Sequence, residues 1–150
     1  MRNTTFIMFK PDAVKRELVE TILGIFKDHG FLVEQSKEVI VDANLIVTHY
    51  EDVIKAVNQD YFKQAVLNTF VGQKVFAYVL SKDCEDAVKE VRALIGATDP
   101  AKADPSSIRG RFGDDALANS MAEKRMLRNL IHASDSRESV IRETQLWFGK

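Results

Sequence analysis

Four short β-forming runs alternate with segments of helical periodicity, and their order constrains the fold of this 150-residue chain more than any other feature. The runs span residues 5–9, 31–41, 74–80 and 129–132. Once two short extra helices are set aside, the order is β-α-β-β-α-β followed by a last helix. This order predicts a single α+β domain over 1–150 of the ferredoxin-like type, a four-stranded antiparallel sheet with helices on its faces.

Capping residues and apolar spacing place the helices between these runs. Asp12 is expected to cap a first helix that stops at Gly30. Asp83 is expected to open the helix after the third strand. Asp135 is expected to cap the last helix, with Glu138 in the capping-box position. Further short helices are predicted at 44–50, 61–70 and 117–127.

The segment 96–115 has no periodicity and contains Pro100 and Pro105, which predicts a loop. A loop of about 20 residues is long for a compact domain, and loops of that length are usually functional or disordered. Residues 110–113 also fit the GxxG pattern of RNA-binding KH modules. Four loosely defined residues followed by two acidic ones are a weak sign of RNA binding, so no RNA-binding loop is predicted here.

Composition and charge disfavour several classes of protein. A formal net charge of -1 and a pI of about 6.3 argue against a nucleic-acid partner, because nucleic-acid-binding domains are usually basic. The single cysteine, Cys84, cannot form an internal disulfide, so a reducing compartment, most simply the cytoplasm, is expected. No signal-peptide pattern and no apolar window of about 18 residues are present, so no membrane partner is expected.

The three histidines differ in their surroundings. His29 lies in the last turn of the first predicted helix, where a cation favours the helix dipole, and we interpret it as structural. His49 lies on a short helix and is interpreted as a structural or surface residue. His132 instead ends a strand directly before a helix, a junction that exposes a side chain at the end of a sheet. A neutral ring nitrogen there could be a nucleophile, although a capping or core histidine fits the same spacing.

Phosphates, if they are bound, would have to be held by side chains, because neither G-x-x-x-x-G-K-[ST] nor G-x-G-x-x-G occurs. The candidate residues are Lys10, Arg92, Thr98 and Arg109. Taken singly, each of them is more typical of an ordinary surface residue. Tyr61 lies where a base could stack, although aromatic residues at helical positions more often belong to a core.

Several motifs in the correct order make the chain resemble the nucleoside diphosphate kinases over essentially its whole length. Residues 129–136, Asn-Leu-Ile-His-Ala-Ser-Asp-Ser, are similar to the active-site segment N-x-x-H-[GA]-S-D of that family. The other matching segments are Lys10-Pro11-Asp12, His49-Tyr50, Gly96-Ala97-Thr98-Asp99-Pro100, Ile108-Arg109-Gly110 and Glu143 before Leu146-Trp147-Phe148. The resemblance implies transfer of the γ-phosphate of a nucleoside triphosphate, such as ATP, to a nucleoside diphosphate.

The resemblance implies a ping-pong mechanism through a phosphohistidine. His132 is the implied nucleophile, with Glu143 and Ser134 holding its ring. Lys10 and Tyr50 are implied to steady the γ-phosphate and the ring. One site would then serve donor and acceptor nucleotides in turn, which would balance nucleotide pools for nucleic-acid synthesis.

The nucleotide contacts follow from the same resemblance. Arg92, Thr98 and Arg109 are implied to bind the β and neighbouring phosphates. Asn129 is implied to bind a sugar hydroxyl, and Tyr61, where the family usually has Phe, to stack on the base. Stacking without hydrogen bonds to the base edge would tolerate any base.

A cofactor and an assembly are implied as well. Mg²⁺ would sit on the nucleotide phosphates without a direct protein ligand, with Asp135 nearby through water. The family forms closed homo-oligomers, so a homo-oligomer is expected, with a hexamer favoured over a tetramer. No membrane and no specific nucleic acid are expected as partners.

The chain departs from the family pattern in loops. Val71-Gly72-Gln73 replaces the family's S-G-P, Pro105-Ser106-Ser107 lacks its glycine, and Ala65 stands where Leu is common. Residues 114–128 replace a much shorter link, and we expect them to form a helix beside the nucleotide entrance. Two other interpretations stay open: a nucleotide-sensing module without turnover, and an RNA-binding α/β module, which would need a basic sheet face.

Overall fold

The computed structural model describes residues 2–149, and its four strands form one antiparallel sheet in the spatial order β2-β3-β1-β4. The strands are β1 (Arg2–Phe9), β2 (Leu32–Ile40), β3 (Lys74–Asp83) and β4 (Ile131–Ala133). β1 is central because it pairs with β3 along its whole length and with β4 at its end. The predicted ferredoxin-like fold class is confirmed.

Nine helices and one 3₁₀ turn connect and cover these strands in the described part of the chain. They are α1 (Pro11–Lys15), α2 (Val19–Asp28), α3 (Ala43–His49), α4 (Glu51–Val57), α5 (Phe62–Phe70), α6 (Ala87–Ile95), the 3₁₀ turn Pro100–Lys102, α7 (Ile108–Phe112), α8 (Leu117–Ala122) and α9 (Arg137–Phe148). Among the residues described, no helix is both long enough and apolar enough to cross a membrane.

The apolar run of β1 is buried on both sides of the sheet, which explains why it does not alternate with polar residues. Ile7 and Phe9 point into one core, under α2 and α6. Phe6 and Met8 point into the other core, under α3, α5 and α9. The central strand therefore carries helices on both faces, and its end lies deep between the two layers.

The first predicted helix is broken in two. Glu17 takes a left-handed conformation, with φ 58°, between α1 and α2. Asp12 does not cap α1; its carboxylate accepts a hydrogen bond from the backbone N–H of Leu130 (3.1 Å). The predicted stop at Gly30 is confirmed, because its φ of +92° is a conformation that glycine adopts without strain.

Two other capping predictions were wrong by one to three residues. Asp83 still belongs to β3, and α6 is capped by Asp86, which accepts from the backbone N–H of Lys89 (3.0 Å). Ser136, not Asp135, caps α9, so Glu138 falls short of the capping-box position. In both cases several acceptors stand close together, and the turn geometry decides which one caps the helix.

The helices of the structure differ from the predicted ones in three places. The stretch 96–115 contains the 3₁₀ turn and α7, and α4 follows α3 where no helix was predicted. The helix predicted at 117–127 ends at Ala122, because Lys124 has a left-handed φ of 54°. Local sequence propensity did not predict α4, α7 or the left-handed residue Lys124.

The segment 114–128 is closed by a buried carboxylate. Asp115 is 2% exposed and accepts from two guanidinium nitrogens of Arg125 (2.6 and 2.9 Å) and from the backbone N–H of Arg128 (3.0 Å). These hydrogen bonds hold the pKa of Asp115 below its usual range. The two ends of the segment are therefore tied together beside β4.

Asp115→Asn is expected to lower the free energy of unfolding at pH 7 by about 2 kcal/mol, because a buried, charge-assisted pair loses its negative partner. Chemical denaturation at pH 7 measures this change. Glu123→Gln is the matched control, since Glu123 pairs with the same Arg125 but is 63% exposed, and it should change stability by less than about 0.5 kcal/mol. Equal losses in the two variants would contradict the account.

Candidate active site

A cleft of about 380 Å³ opens where the end of β1 and the strand β4 meet the helices of both layers. The predicted site residues that line it are Lys10, Tyr50, Arg92, Thr98, Arg109, Asn129, His132, Asp135 and Glu143. They come from nine different elements or loops. Of the other two predicted residues, Ser134 lies buried directly behind the wall, and Tyr61 lies elsewhere.

His132 is held by one carboxylate. It lies on β4 opposite Met8, and its Nε2 is 2.9 Å from Oε1 of Glu143. The hydroxyl of Ser134 donates to the same oxygen (2.5 Å). A carboxylate in this position selects the tautomer with the proton on Nε2, which leaves Nδ1 of His132 with a free lone pair.

The turn before β4 is strained and well fixed. Leu130 is fully buried and has a φ of 75°, a conformation that a leucine adopts only when its surroundings impose it. The backbone N–H of Lys10 donates to its carbonyl (2.9 Å), and its own N–H donates to Asp12. The turn aims Asn129 and the residues of β4 toward the cleft.

Lys10 is a buried cation site at the end of β1. Its Nζ donates to Oδ1 of Asn129 (2.6 Å), and the amide of Asn129 donates to the carbonyl of Thr98 (2.9 Å). Burial first, and the nearby charge of Arg109 second, lower the pKa of Lys10 to about 7. The side-chain amino group of Lys10 can therefore gain or lose a proton near neutral pH.

If ADP with Mg²⁺ binds with its phosphates beside Lys10, as the family resemblance implies, binding at pH 8 is expected to take up close to one proton per site. Free Lys10 loses its charge as the pH rises through about 7, whereas a phosphate beside Nζ favours the charged form and raises this pKa. Affinity should therefore fall as the pH rises above 7. Calorimetry in two buffers of different ionisation enthalpy measures the uptake, and Lys10→Met should abolish it; equal uptake in both proteins would contradict this assignment.

Arg109 connects α7 to two other backbone segments at the floor of the cleft. Its guanidinium donates to the carbonyls of Asn129 (3.2 Å), Gly96 (3.3 Å) and Ile131 (2.7 Å). Burial, together with the charge of Arg92, lowers its pKa to about 10, so it stays charged at pH 7. Arg92 donates to the carbonyl of Ala133 (3.1 Å), and both cations line the cleft.

The structure does not place Tyr61 in the cleft. Tyr61 precedes α5 and lines a separate depression with Met121 and Lys124, whereas Phe62, the first residue of α5, lines the cleft. Successive helical positions are rotated by about 100°, so two neighbouring aromatic residues cannot face the same way. An aromatic wall is present, but the neighbouring residue supplies it.

Tyr50 and His49 are both buried beside His132. The hydroxyl of Tyr50 has no hydrogen-bond partner within residues 2–149, and burial raises its pKa well above its usual value. His49 is 3% exposed, and its ring lies 4.4 Å from the ring of His132. The interpretation of His49 as a possible surface residue was therefore wrong, and sequence reasoning did not assign it to the site.

Asp135 is a carboxylate suited to a hard cation. It lines the cleft, and the hydroxyl of Ser139 donates to it (2.7 Å), which lowers its pKa. Mg²⁺ takes oxygen ligands and usually binds through one or two carboxylates together with substrate phosphates. The donor set of the cleft therefore fits Mg²⁺ that arrives with a nucleotide.

Comparisons with known proteins agree with this geometry. The sequence model of nucleoside diphosphate kinase matches residues 3–150. The nucleoside diphosphate kinase of Methanosphaera stadtmanae is 38% identical over 148 residues, which is 99% of this chain and 87% of that protein. The enzyme of the same name from Methanocaldococcus jannaschii is 35% identical over 148 residues, covering 99% and 94%.

Solved structures of nucleoside diphosphate kinases are similar to this chain as well. A transition-state mimic of nucleoside-diphosphate kinase from Borrelia burgdorferi, with bound vanadate and ADP, has a TM-score of 0.91 and 30% identity over 98% of this chain and 87% of that one. An NDP kinase from Pyrobaculum aerophilum has a TM-score of 0.86 and 27% identity, covering 99% and 96%. The chain belongs to the nucleoside diphosphate kinase family.

Proposed function

We propose that the protein transfers the γ-phosphate of a nucleoside triphosphate such as ATP to a nucleoside diphosphate through a phosphorylated His132. The observation that carries the proposal is the orientation of His132: Nε2 faces Glu143, so the lone pair of Nδ1 is free in a cleft that Lys10, Arg92 and Arg109 line. A nucleophile among three cationic side chains suits transfer of an anionic phosphoryl group.

The proposed reaction has two symmetric steps. Nδ1 of His132 attacks the γ-phosphorus, a P–N bond forms, and the bond from the γ-phosphorus to the bridging oxygen breaks, so the diphosphate leaves with that electron pair. A terminal oxygen of the second diphosphate then attacks the phosphorus, and the P–N bond breaks. The proton on Nε2 stays between His132 and Glu143, whose charge stabilises the ring while it carries the phosphoryl group.

We assign the remaining polar residues to the nucleotide. Lys10 and the unpartnered hydroxyl of Tyr50 are proposed to contact the γ-phosphate. Arg92, Thr98 and Arg109 are proposed for the β and neighbouring phosphates. Asn129 is proposed for a sugar hydroxyl, and Ser134 acts from behind by fixing Glu143.

Mg²⁺ is proposed as the cofactor. Bound to the nucleotide phosphates, it would neutralise charge that develops during transfer. Asp135 would hold its hydration shell from the cleft wall.

The base is proposed to lie on Phe62 instead of Tyr61. Apolar side chains surround this part of the cleft, among them Val53, Leu117 and Met126. Such a wall offers stacking and apolar contact without reading the base edge, which supports use of several bases. The expectation that segment 114–128 borders the nucleotide entrance agrees with the position of Leu117.

The function is tested with purified protein, ATP, GDP and Mg²⁺, by measuring GTP formation chromatographically. We expect transfer with parallel lines in double-reciprocal plots, the pattern of a ping-pong mechanism. Failure to form GTP while ADP still binds would reject the kinase and indicate a nucleotide-sensing module. Tight binding of single-stranded RNA would favour the RNA-binding alternative.

We also propose that the protein is a closed homo-oligomer, with a hexamer favoured. β2 pairs only with β3 among the described strands, and its outer edge is open. It exposes Leu32 (53%), Val33 (37%) and Ile40 (61%), and an open edge with apolar side chains readily pairs with a second copy.

Light scattering is expected to give a mass of about 102 kDa, six times the 17.0 kDa of one chain. Ile40→Lys should shift the population to smaller species, because a charge on β2 opposes edge pairing. Ile141→Lys, an exposed isoleucine on α9, is the matched control. A monomer of 17.0 kDa in the unchanged protein would overturn the proposal.

A cytoplasmic location is proposed on the cysteine content. Cys84 is the only cysteine of the chain and is a free thiol. Proteins of reducing compartments keep such thiols without a disulfide framework. Mass spectrometry of protein isolated from fractionated cells would test the location.

A further inference from the structure

His49 is a buried titratable residue that the proposed reaction does not use. It ends α3, is 3% exposed, and its ring is nearly perpendicular to that of His132, with an angle of 78° between the planes and 4.4 Å between the ring centroids. Phe6 packs against both rings, at 6.2 and 6.1 Å. The nucleophile is thus in direct contact with a second imidazole.

Hydrogen bonding fixes the tautomer of His49. The indole N–H of Trp147 donates to Nδ1 of His49 (3.0 Å), and an indole can only donate, so Nδ1 must be unprotonated. Burial and the charges of His132, Arg142 and Lys10 lower the pKa of His49 well below its usual value. The ring is therefore neutral and carries its proton on Nε2.

The Nε2–H of His49 has no hydrogen-bond partner within residues 2–149, although it is fully buried. An unpaired buried donor costs about 1–3 kcal/mol, so a fold that keeps one requires an explanation. A leucine or phenylalanine would remove this unpaired donor, but it would leave the buried indole N–H of Trp147 without its acceptor. The imidazole therefore supplies the acceptor for Trp147 and places a polar edge beside the ring of His132.

We infer that His49 is a positioning residue for His132, an inference that rests on the proposed function. Trp147 locks the His49 ring, and the locked ring holds the imidazole of His132 in the rotamer that keeps Nε2 on Glu143 and Nδ1 in the cleft. Glu143 and Trp147 lie four residues apart on α9, so they project from the same face of that helix. One helix therefore holds the nucleophile twice, directly through Glu143 and indirectly through Trp147 and His49.

The neutral state of His49 also suits the change in charge at His132 during the reaction. Phosphorylation at Nδ1 leaves the proton on Nε2, so the ring of His132 becomes more positive during the reaction. A second positive ring at 4.4 Å would oppose this change. The hydrogen bond from Trp147 occupies the nitrogen at which a second proton would bind.

Two variants separate positioning from packing. His49→Phe keeps a ring of similar size but removes the acceptor, and His49→Asn keeps an acceptor close to the place of Nδ1. We expect His49→Phe to lower kcat about 10–100-fold with KM for nucleotides within about twofold, and His49→Asn to recover part of that loss. Trp147→Phe, which removes the indole donor together with part of a buried ring, should resemble His49→Phe.

Nitrogen-15 NMR of the imidazoles supplies a readout that packing alone would not move. In the unchanged protein we expect both His49 and His132 to carry their protons on Nε2. In His49→Phe and Trp147→Phe, His132 should become a mixture of tautomers, and the phosphoryl group should no longer go only to Nδ1. Melting temperatures identify any variant that fails to fold.

Three results would overturn the inference. The first is a proton on Nδ1 of His49 in the unchanged protein. The second is an unchanged His132 tautomer in both His49→Phe and Trp147→Phe. The third is a kcat within twofold of the original in both of these variants. The first needs no variant, so it decides the matter even if the variants unfold. Absence of transfer in the unchanged protein would reject the proposed function, while the tautomers would still report whether His49 positions His132.

Discussion

Replacing His132 by glutamine is expected to lower kcat/KM for transfer from ATP to GDP by at least about 10⁴-fold, because the reaction loses the atom that forms the P–N bond. The glutamine amide can still donate to Glu143, so the cleft should keep its shape. The dissociation constant for ADP should therefore stay within about threefold. Steady-state kinetics and calorimetry on the same preparation measure the two quantities.

His29→Gln is the control for this substitution. His29 is exposed, and its ring hydrogen bonds to the carbonyl of Ile25 within its own helix turn (2.9 Å), far from the cleft lining, so transfer should be unchanged. If His132→Gln retained more than about one hundredth of the activity, His132 would not be the nucleophile. Loss of ADP binding together with transfer would instead make His132 a structural residue of the cleft.

Lys10→Met is expected to lower kcat/KM by about 10²–10³-fold while the melting temperature at pH 7 stays the same or rises. The activity falls because a cation at the phosphates is lost. The melting temperature of Lys10→Met does not fall, because the pKa of Lys10 is about 7 in the folded chain and 10.5 in the unfolded chain. At pH 7 the unfolded chain binds this proton more fully than the folded chain does, so folding is penalised by an amount on the order of several kcal/mol.

The pH dependence of the free energy of unfolding gives a second test of the lowered pKa of Lys10. Stability should increase as the pH rises from 7 toward 10.5 in the unchanged protein, and Lys10→Met should lose this contribution. Lys27→Met, at an exposed lysine near the end of α2, should alter neither activity nor the pH dependence. A melting temperature that drops sharply in Lys10→Met would show that the contact with Asn129 matters more than the burial of charge.

The parts of the fold that sequence patterns predicted are those set by local, repeated signals. The run that became β1 was recognisable because four consecutive apolar residues indicate a strand buried on both faces. Capping was harder to predict because tertiary contacts compete for the same side chains. Asp12 resembles a helix cap, but its carboxylate accepts from Leu130, 118 positions away, which no local pattern reveals.

The candidate site was predictable to the extent that short motifs carry it. The place of His132 between a strand and a helix left its role open, and the motif around it implied a nucleophile through the family resemblance. Arg109 was also named through a short motif, Ile108-Arg109-Gly110, but its contacts could not be predicted, because its acceptors are carbonyls of three distant residues. Tyr61 and Phe62 could not be told apart without the rotation of α5, and His49 could not be placed without its contact to Trp147.

The most direct test of the account is a pulse and chase of the phosphorylated protein. The protein is mixed with Mg²⁺ and ATP labelled in the γ-phosphate, freed of nucleotide, and then given GDP. The account predicts a labelled protein that is acid-labile and base-stable and that passes its label to GTP, with no label on His132→Gln. An unlabelled protein that still binds ADP, or a label that is stable to acid, would contradict a phosphohistidine mechanism.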